Sequence, residues 1–397
     1  MTTHETSNLR RDLILMLFAA LFFGGASSIF MSTLNNYLSE IHSLDAAARG
    51  WLEFPRELPG FLIIFVSAAL LSLMREARIA SFAMILTALG AFGLGFLATE
   101  QWTLVAFIIV WSLGDHIIFA VEGPLGLQLA REGGEGRRLG QLGGARNLGS
   151  ILGVGVIYVL AKAMGDRYDL FYVVAGISAL LAGVCYLNIR VGKGAPPSKR
   201  WVLKKKYSLF YAISALFGVR KQIFLAFGGW VLVQVYDVSV STIALLYFIA
   251  ATLGVVFRPL LGDVIDWLGE RIVLATDELL LLAICLCYAF VGDFLPKEIA
   301  KNVLFGAYIL DSVLFALRIA RTTYLKKIAD DPSDLTPTIA MGITFDHVVA
   351  MSLPILSGYI WDAFGYRWVF ILAGAIAVAG YFICLRIETP ELKPSPA

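Results

Sequence analysis

Long apolar runs recur along this sequence, and they limit what the chain can fold into more than any other feature. A helix that crosses a bilayer needs roughly 20 mainly apolar residues, because its backbone groups must bond to one another where water is absent. The composition agrees, since 58% of the residues are hydrophobic and only 16% are charged. We therefore predict an all-α polytopic membrane protein with twelve transmembrane helices in the lipid bilayer. The twelve runs lie near residues 12–37, 52–74, 78–98, 102–130, 140–162, 168–190, 220–238, 240–262, 271–291, 300–325, 336–360 and 367–386.

The basic residues predict which way the chain crosses the membrane. Arg10 and Arg11 precede the first run, and the turns after every second run carry further Lys and Arg, as at 74–78 and 190–210. The intervening turns carry few. Because Lys and Arg collect in cytoplasmic loops, we predict that both termini are cytoplasmic, with the bacterial inner (plasma) membrane as the expected location. This topology explains the basic loops, so no nucleic-acid partner is expected.

The longest polar stretch divides the runs into six and six. Residues 191–219 are rich in Lys, Arg, Gly and Pro. We predict an N-terminal bundle over 1–190, a basic cytoplasmic linker over 191–219, and a C-terminal bundle with a short tail over 220–397.

The two halves show weak internal similarity. SLGDHIIFAVEGPLGLQLA at 112–130 resembles ILDSVLFALRIARTTYLKK at 309–327. The comparison pairs Asp115 with Asp311, Phe119 with Phe315, and Glu122 with Arg318. Duplicated six-helix units of this kind are common in transporters.

A sharper motif lies between the eighth and ninth runs, in GDVIDWLGERI at 262–272. Gly262, Asp266, Gly269 and Arg271 have the G-x-x-x-D-x-x-G-x-R spacing of the cytoplasmic loop signature of the major facilitator superfamily. With the six-plus-six pattern and the basic linker, the chain resembles that family over nearly its whole length. The glycines allow a tight turn, and Asp266 with Arg271 is expected to form a charged gating latch. The first-half counterpart at 72–78 lacks the glycines and the aspartate.

The resemblance implies two six-helix bundles around a central cavity, lined by helices 1, 4, 7 and 10 and opening alternately to each side. It implies a monomeric secondary active transporter with a small-molecule substrate. Because a fold alone does not identify a substrate, the polar residues inside the apolar runs are the better guide. A charge at the bilayer centre is costly and is kept mainly where it faces a cavity or a partner.

The fourth and tenth runs carry the first candidates for substrate contact or proton coupling. Asp115 and Glu122 are seven residues apart, hence on one helix face, and Asp311 and Arg318 repeat this spacing. A structural alternative stays open, in which such charges only tie helices together. In that case Asp115 or Glu122 would pair with Arg146 of the fifth run, and Asp311 with Arg318 or Arg321.

The eleventh run contains adjacent Asp346 and His347. Adjacent helical residues point about 100° apart, so we expect one side chain to face the cavity and the other a neighbouring helix. A histidine beside an aspartate suits a proton relay, because imidazole titrates near neutral pH. His116, directly after Asp115, is a weaker candidate of the same kind. Asn147 and Gln234 are further candidates to line the path.

These residues favour a proton-coupled transporter with alternating access. The excess of buried acids leans toward a cationic or zwitterionic solute or export of amphipathic compounds, while Arg146 and Arg318 keep an organic anion open. A divalent metal or siderophore-type transporter is an alternative, although no spacing matches a metal motif. We predict no bound metal or cofactor and no enzyme activity, since nucleotide-binding and hydrolase motifs are absent. A membrane-embedded lipid- or acyl-modifying enzyme and a channel remain as alternatives from other classes.

Overall fold

The computed structural model describes residues 3–130, 134–190 and 203–388, and these residues are almost entirely helical. The first half contains six helices, each beginning close to one of the predicted runs. They are α1 (Thr3–Glu40), α2 (Ala46–Leu73), α3 (Glu76–Phe96), α4 (Gln101–Gln128), α5 (Glu135–Met164) and α6 (Tyr168–Leu187).

Six more helices follow in the second half. They are α7 (Lys205–Gln234), α8 (240–268), α9 (270–294), α10 (Lys297–Ile328), α11 (Leu335–Phe364) and α12 (Tyr366–Cys384). The run Val240–Phe294 contains both α8 and α9, which are separated by a break at Gly269. Two of them change their winding: α7 contains a π-turn at Phe224–Gly228, and α10 contains a 3₁₀ turn at Phe315–Arg318.

Within the described residues, eleven helices are long and apolar enough to cross a membrane, and the bent helix α2 makes twelve if its two parts form one span. The prediction of an all-α polytopic membrane protein is thereby confirmed. The start of α7 differs from the expectation, because its helix begins well before residue 220. Tyr207, Phe210 and Tyr211 are buried in a helical core, whereas the Lys and Arg residues around them suggested a linker.

The described chain divides into two compact units. Unit 1 comprises residues 3–44, 54–130, 134–190 and 237–252, and unit 2 comprises 45–53, 203–236 and 253–388. Helices α2 and α8 therefore each contribute to both units. The first residues of α2, up to 53, belong to unit 2, and the first residues of α8, up to 252, belong to unit 1.

In unit 1, α1 packs directly on α5 through glycines. A Cβ atom at Gly149 would overlap the backbone of Leu21, and one at Gly24 would overlap the backbone of Arg146. The helices are therefore in backbone contact, as small residues permit in membrane bundles. This contact fixes the position of Arg146, which precedes Gly149 by three residues on the same helix.

In unit 2, α7 packs against α11 in a similar way. A Cβ atom at Gly218 would lie 2.9 Å from the backbone oxygen of Asp346. The apolar core of this unit includes Phe210, Leu274 and Tyr324, from α7, α9 and α10. The packing places charged residues of α7 beside those of α9, α10 and α11.

Candidate functional site

Glu122 on α4 contacts two polar side chains within unit 1. It forms an ion pair with Arg146 of α5, and the hydroxyl of Tyr186 donates a hydrogen bond of 2.8 Å to its Oε1 atom. The guanidinium of Arg146 also lies 4.8 Å from the ring centres of Phe23 and Phe119. Glu122 therefore pairs with Arg146, as the structural alternative predicted. Its charge is balanced by the guanidinium, and both of its oxygens accept hydrogen bonds.

Asp115, seven residues earlier on the same helix, is arranged differently. Its Oδ1 atom is buried and has no hydrogen-bond partner among the described residues. No ion pair joins Asp115 to any cation in the part of the chain that the structure describes. Arg146, Arg56 and Glu57 act on it only at longer range. Asp115 is thus a partly buried acid whose buried Oδ1 atom has no partner among the described residues.

His116 belongs to a hydrogen-bonded contact between α2 and α4. Its Nδ1 atom lies 2.8 Å from the backbone oxygen of Ser112 and 3.0 Å from the hydroxyl of the same serine. That hydroxyl donates to the backbone oxygen of Arg56, whose guanidinium lies 2.7 Å from Glu57. These contacts place a histidine, a serine and an Arg-Glu pair beside the unpartnered Asp115.

The weaker candidates lie at helix contacts and helix ends. Asn147 of α5 donates a hydrogen bond of 3.2 Å to the backbone oxygen of Ala251 in unit 1. Gln234 is exposed at the last residue of α7 in unit 2.

Asp311 on α10 is paired with Arg220, which the sequence patterns did not indicate. Arg220 of α7 donates from Nε to Asp311 at 3.1 Å and from Nη1 to Asp277 of α9 at 2.6 Å. All three side chains are buried. Asp311 therefore pairs with a different helix rather than with Arg318 or Arg321. The missed signal was Arg220 itself, the first residue of the predicted seventh run.

Asp346 on α11 also has a cation beside it. The Nζ atom of Lys221, next to Arg220 on α7, lies 3.0 Å from its Oδ1 atom. His347 is buried on the same helix. The close approach of Gly218 positions this pair, because α7 and α11 meet there without an intervening side chain.

Two arginines of α10 lie over aromatic rings. Arg318 is exposed, with its guanidinium 5.4 Å from the ring centre of Phe315, and Arg321 lies 3.9 Å from that of Phe217. The Nε atom of Arg321 is buried and has no hydrogen-bond partner among the described residues. Within the described part of unit 2, Arg321 is thus a cation without an ion pair.

The loop motif forms the turn between α8 and α9. Gly269 has φ 77° and ψ 158°, a conformation that favours glycine. Asp266 and Arg271 are both exposed, as is Gly262. The ion pair found in this turn joins the neighbouring Glu270 to Lys327 of α10 at 2.9 Å. The ion pair at this turn therefore joins Glu270 and Lys327, and not Asp266 and Arg271.

Solved structures of several transporters are similar to this chain. They include a variant of the nucleoside transporter NupG, with a TM-score of 0.79, 13% identity and coverage of 95% of this chain and 99% of that one. A bacterial homologue of the human lysosomal transporter Spinster has a TM-score of 0.73 and 15% identity, covering 98% of each chain. A D-xylose–proton symporter has a TM-score of 0.71 and 15% identity, covering 97% and 98%. At these identities the likeness shows a shared fold.

A search of curated proteins finds no match. The family model described as Major Facilitator Superfamily matches residues 16–324. This range is more than three quarters of the 397 residues and includes helices of both halves. The chain therefore belongs to the major facilitator superfamily, and it has the fold of that family's transporters.

Proposed function

We propose that this protein is a proton-coupled secondary transporter that moves a small solute across the membrane by alternating access. Its family and fold support transport, and the neighbouring structures are named for nucleoside transport and for symport of D-xylose with protons. The basic loops support an orientation with both termini in the cytoplasm, most simply in a bacterial inner membrane. A monomer with two six-helix bundles suffices for this function.

Asp115 is the observation that supports proton coupling. A charged carboxylate in a low-dielectric surrounding needs a cation or several hydrogen-bond donors, whereas a protonated carboxyl carries no charge. Asp115 has neither an ion pair nor a partner for Oδ1 among the described residues. Its surroundings therefore suit a group that gains a proton in one state and loses it in another.

The other acids that the sequence suggested have partners that reduce their need for a proton. Glu122 has Arg146 and Tyr186, and Asp311 has Arg220. The Oδ1 atom of Asp346 has no hydrogen-bond partner among the described residues, but it lies 3.0 Å from the ammonium of Lys221, whereas Asp115 has no such cation. We assign these three acids to holding helices together, and we assign the proton to Asp115. His116 lies one residue further on and supplies an imidazole, a group that can accept and release a proton.

The proposal predicts that Asp115→Asn uncouples solute movement from proton movement. Purified protein is reconstituted in liposomes with a pH-sensitive dye trapped inside, and amino acids, sugars, nucleosides, organic acids, drugs and divalent metals are added in turn. Wild-type protein should move protons with one solute class. Asp115→Asn should abolish that proton movement but retain exchange of labelled for unlabelled solute, because exchange needs no net release of a proton.

Asp311→Asn is the matched control, since it removes the same charge from the equivalent position of the second half. We expect it to lower thermal stability, because Arg220 loses a partner, and to keep solute-dependent proton movement. Proton movement that persists in Asp115→Asn would overturn the assignment. Solute flux without proton movement in the wild type would overturn the coupling itself.

A further inference from the structure

Three acids near the α10 arginines in unit 2 are matched to cations, and a fourth, Glu278, lines the same pocket. Asp277 and Asp311 share Arg220, and Asp346 lies beside Lys221. None of these carboxylates lies within ion-pair distance of Arg321. The nearest acids, Asp346 and Asp277, act on Arg321 only at longer range.

Arg321 is therefore an arginine inside a membrane helix with no anion. Within the described residues it forms no ion pair, and its buried Nε atom has no hydrogen-bond partner. Its guanidinium lies 3.9 Å from the ring centre of Phe217. This stacking holds the guanidinium by its face and leaves the N–H groups at its edge to bind something else. A cation is costly at this place in a membrane protein unless it has a function.

Arg318 brings a second positive charge to the same place. It precedes Arg321 by three residues, so the two side chains lie on one face of the helix. Both line a narrow pocket with Phe217 and Arg220. Two neighbouring like charges repel each other, and an anion between them removes that repulsion.

The chemistry of this pair fits an oxyanion. The planar fork of a guanidinium binds a carboxylate or a phosphate through two parallel hydrogen bonds. Glu278 also lines the pocket, and its carboxyl would repel a multiply charged ligand. The site therefore favours a ligand with a single carboxylate over a polyanion, and over a phosphate monoester, which carries close to two charges at neutral pH.

We propose that Arg321, assisted by Arg318, binds the anionic group of the transported solute, and that the substrate is a small organic anion. This inference rests on the proposed function and names the substrate class. The sequence pattern favoured a cationic or zwitterionic solute because of its buried acids, whereas the structure pairs most of those acids with cations.

The test measures ligand-induced thermal stabilisation of purified protein in detergent. The probes are monocarboxylates, dicarboxylates and phosphate monoesters, with sugars and neutral nucleosides as uncharged comparisons. We expect a rise in melting temperature with one class of anion and none with the uncharged solutes. Arg321→Gln should raise the half-saturating concentration at least about tenfold, and Arg321→Lys should have an intermediate effect, because lysine keeps the charge but loses the two-pronged geometry.

The ligand-free variants separate binding from a structural role. If Arg321 had an anionic partner within the protein, Arg321→Gln would lower the melting temperature of the ligand-free protein. We expect that temperature to stay unchanged or rise, because an unpaired charge is removed. Arg367→Gln is the control, since Arg367 forms an exposed ion pair with Asp293. It should leave anion stabilisation unchanged.

A lipid headgroup is another source of the same oxyanion, and a second arm distinguishes it. In this arm, anionic lipid is added to the micelles. The solute assignment is overturned if the lipid stabilises the wild type but not Arg321→Gln and no soluble anion stabilises either protein. Stabilisation that is equal in wild type and Arg321→Gln overturns the site.

A neutral solute that drives proton movement in liposomes would leave the proposed function standing and refute the anion. Anion stabilisation without proton movement would leave the anion site standing and refute the coupling.

Discussion

At the scale of single residues, whether a buried charged group has a partner tells more about its role than the fact that it is buried. Glu122, Asp311 and Asp346 each lie beside a cation, whereas Asp115 and Arg321 have no such partner among the described residues. Burying a charge is expensive, and a partner within the protein offsets that expense in every conformation where the pair stays together. A charge without a partner is compensated only when a proton or a ligand arrives.

The Glu122–Arg146 pair provides a test of this distinction. Removing one member leaves the other as an uncompensated buried charge, so Glu122→Gln and Arg146→Gln should each lower the free energy of unfolding by about 3 kcal/mol. The double variant should lose less than the sum of the two, because neither charge is then left alone. Denaturant unfolding of all four proteins measures the coupling. Strictly additive losses would contradict a direct pair.

At the scale of helices, the sequence predicted the number and type of elements well and their contacts poorly. The apolar runs predicted the helices because the bilayer fixes their minimum length. The start of α7 was missed because its first turns carry Lys beside buried Tyr207 and Phe210. The partner of Asp311 was missed because it comes from α7, and a linear pattern does not encode which faces of two distant helices meet.

The backbone contact between α1 and α5 could be suspected from their glycines but was fixed only by the structure. Gly149→Ala should separate the helices, because the added methyl group overlaps the backbone of Leu21. Gly155→Ala on the same helix should be neutral or slightly stabilising. The nearest atom to a Cβ there is a ring carbon of Phe248 at 3.9 Å, and alanine is the better helix former.

Melting temperature and the yield of monodisperse protein compare these two variants. Gly149→Ala should lower both, while Gly155→Ala should match the wild type. Equal behaviour of the two variants would mean that α1 and α5 adjust easily, and that the position of Arg146 does not depend on their contact.

At the scale of the whole molecule, each unit contains a charged group that forms no ion pair with the described residues and that the proposed function uses. Unit 1 has the acid Asp115, and unit 2 has the cation Arg321. If the first takes a proton and the second takes a singly charged anion, both become neutral in the loaded protein. The empty protein has both charges unmatched. Loading with both ligands therefore lowers the cost of the buried charges.

This arrangement predicts electroneutral transport, because one proton and one monoanion together carry no net charge. In liposomes, a pH gradient that is acidic outside should drive accumulation of the anion. A membrane potential set with potassium and valinomycin at equal pH should not, although it contributes about 2.3 kcal/mol per charge at 100 mV to any electrogenic carrier. In Asp115→Asn the pH gradient should lose its effect while exchange of anion for anion continues. Accumulation driven by the potential alone would show that the charges moved do not cancel, and would contradict the assignment of one proton to each anion.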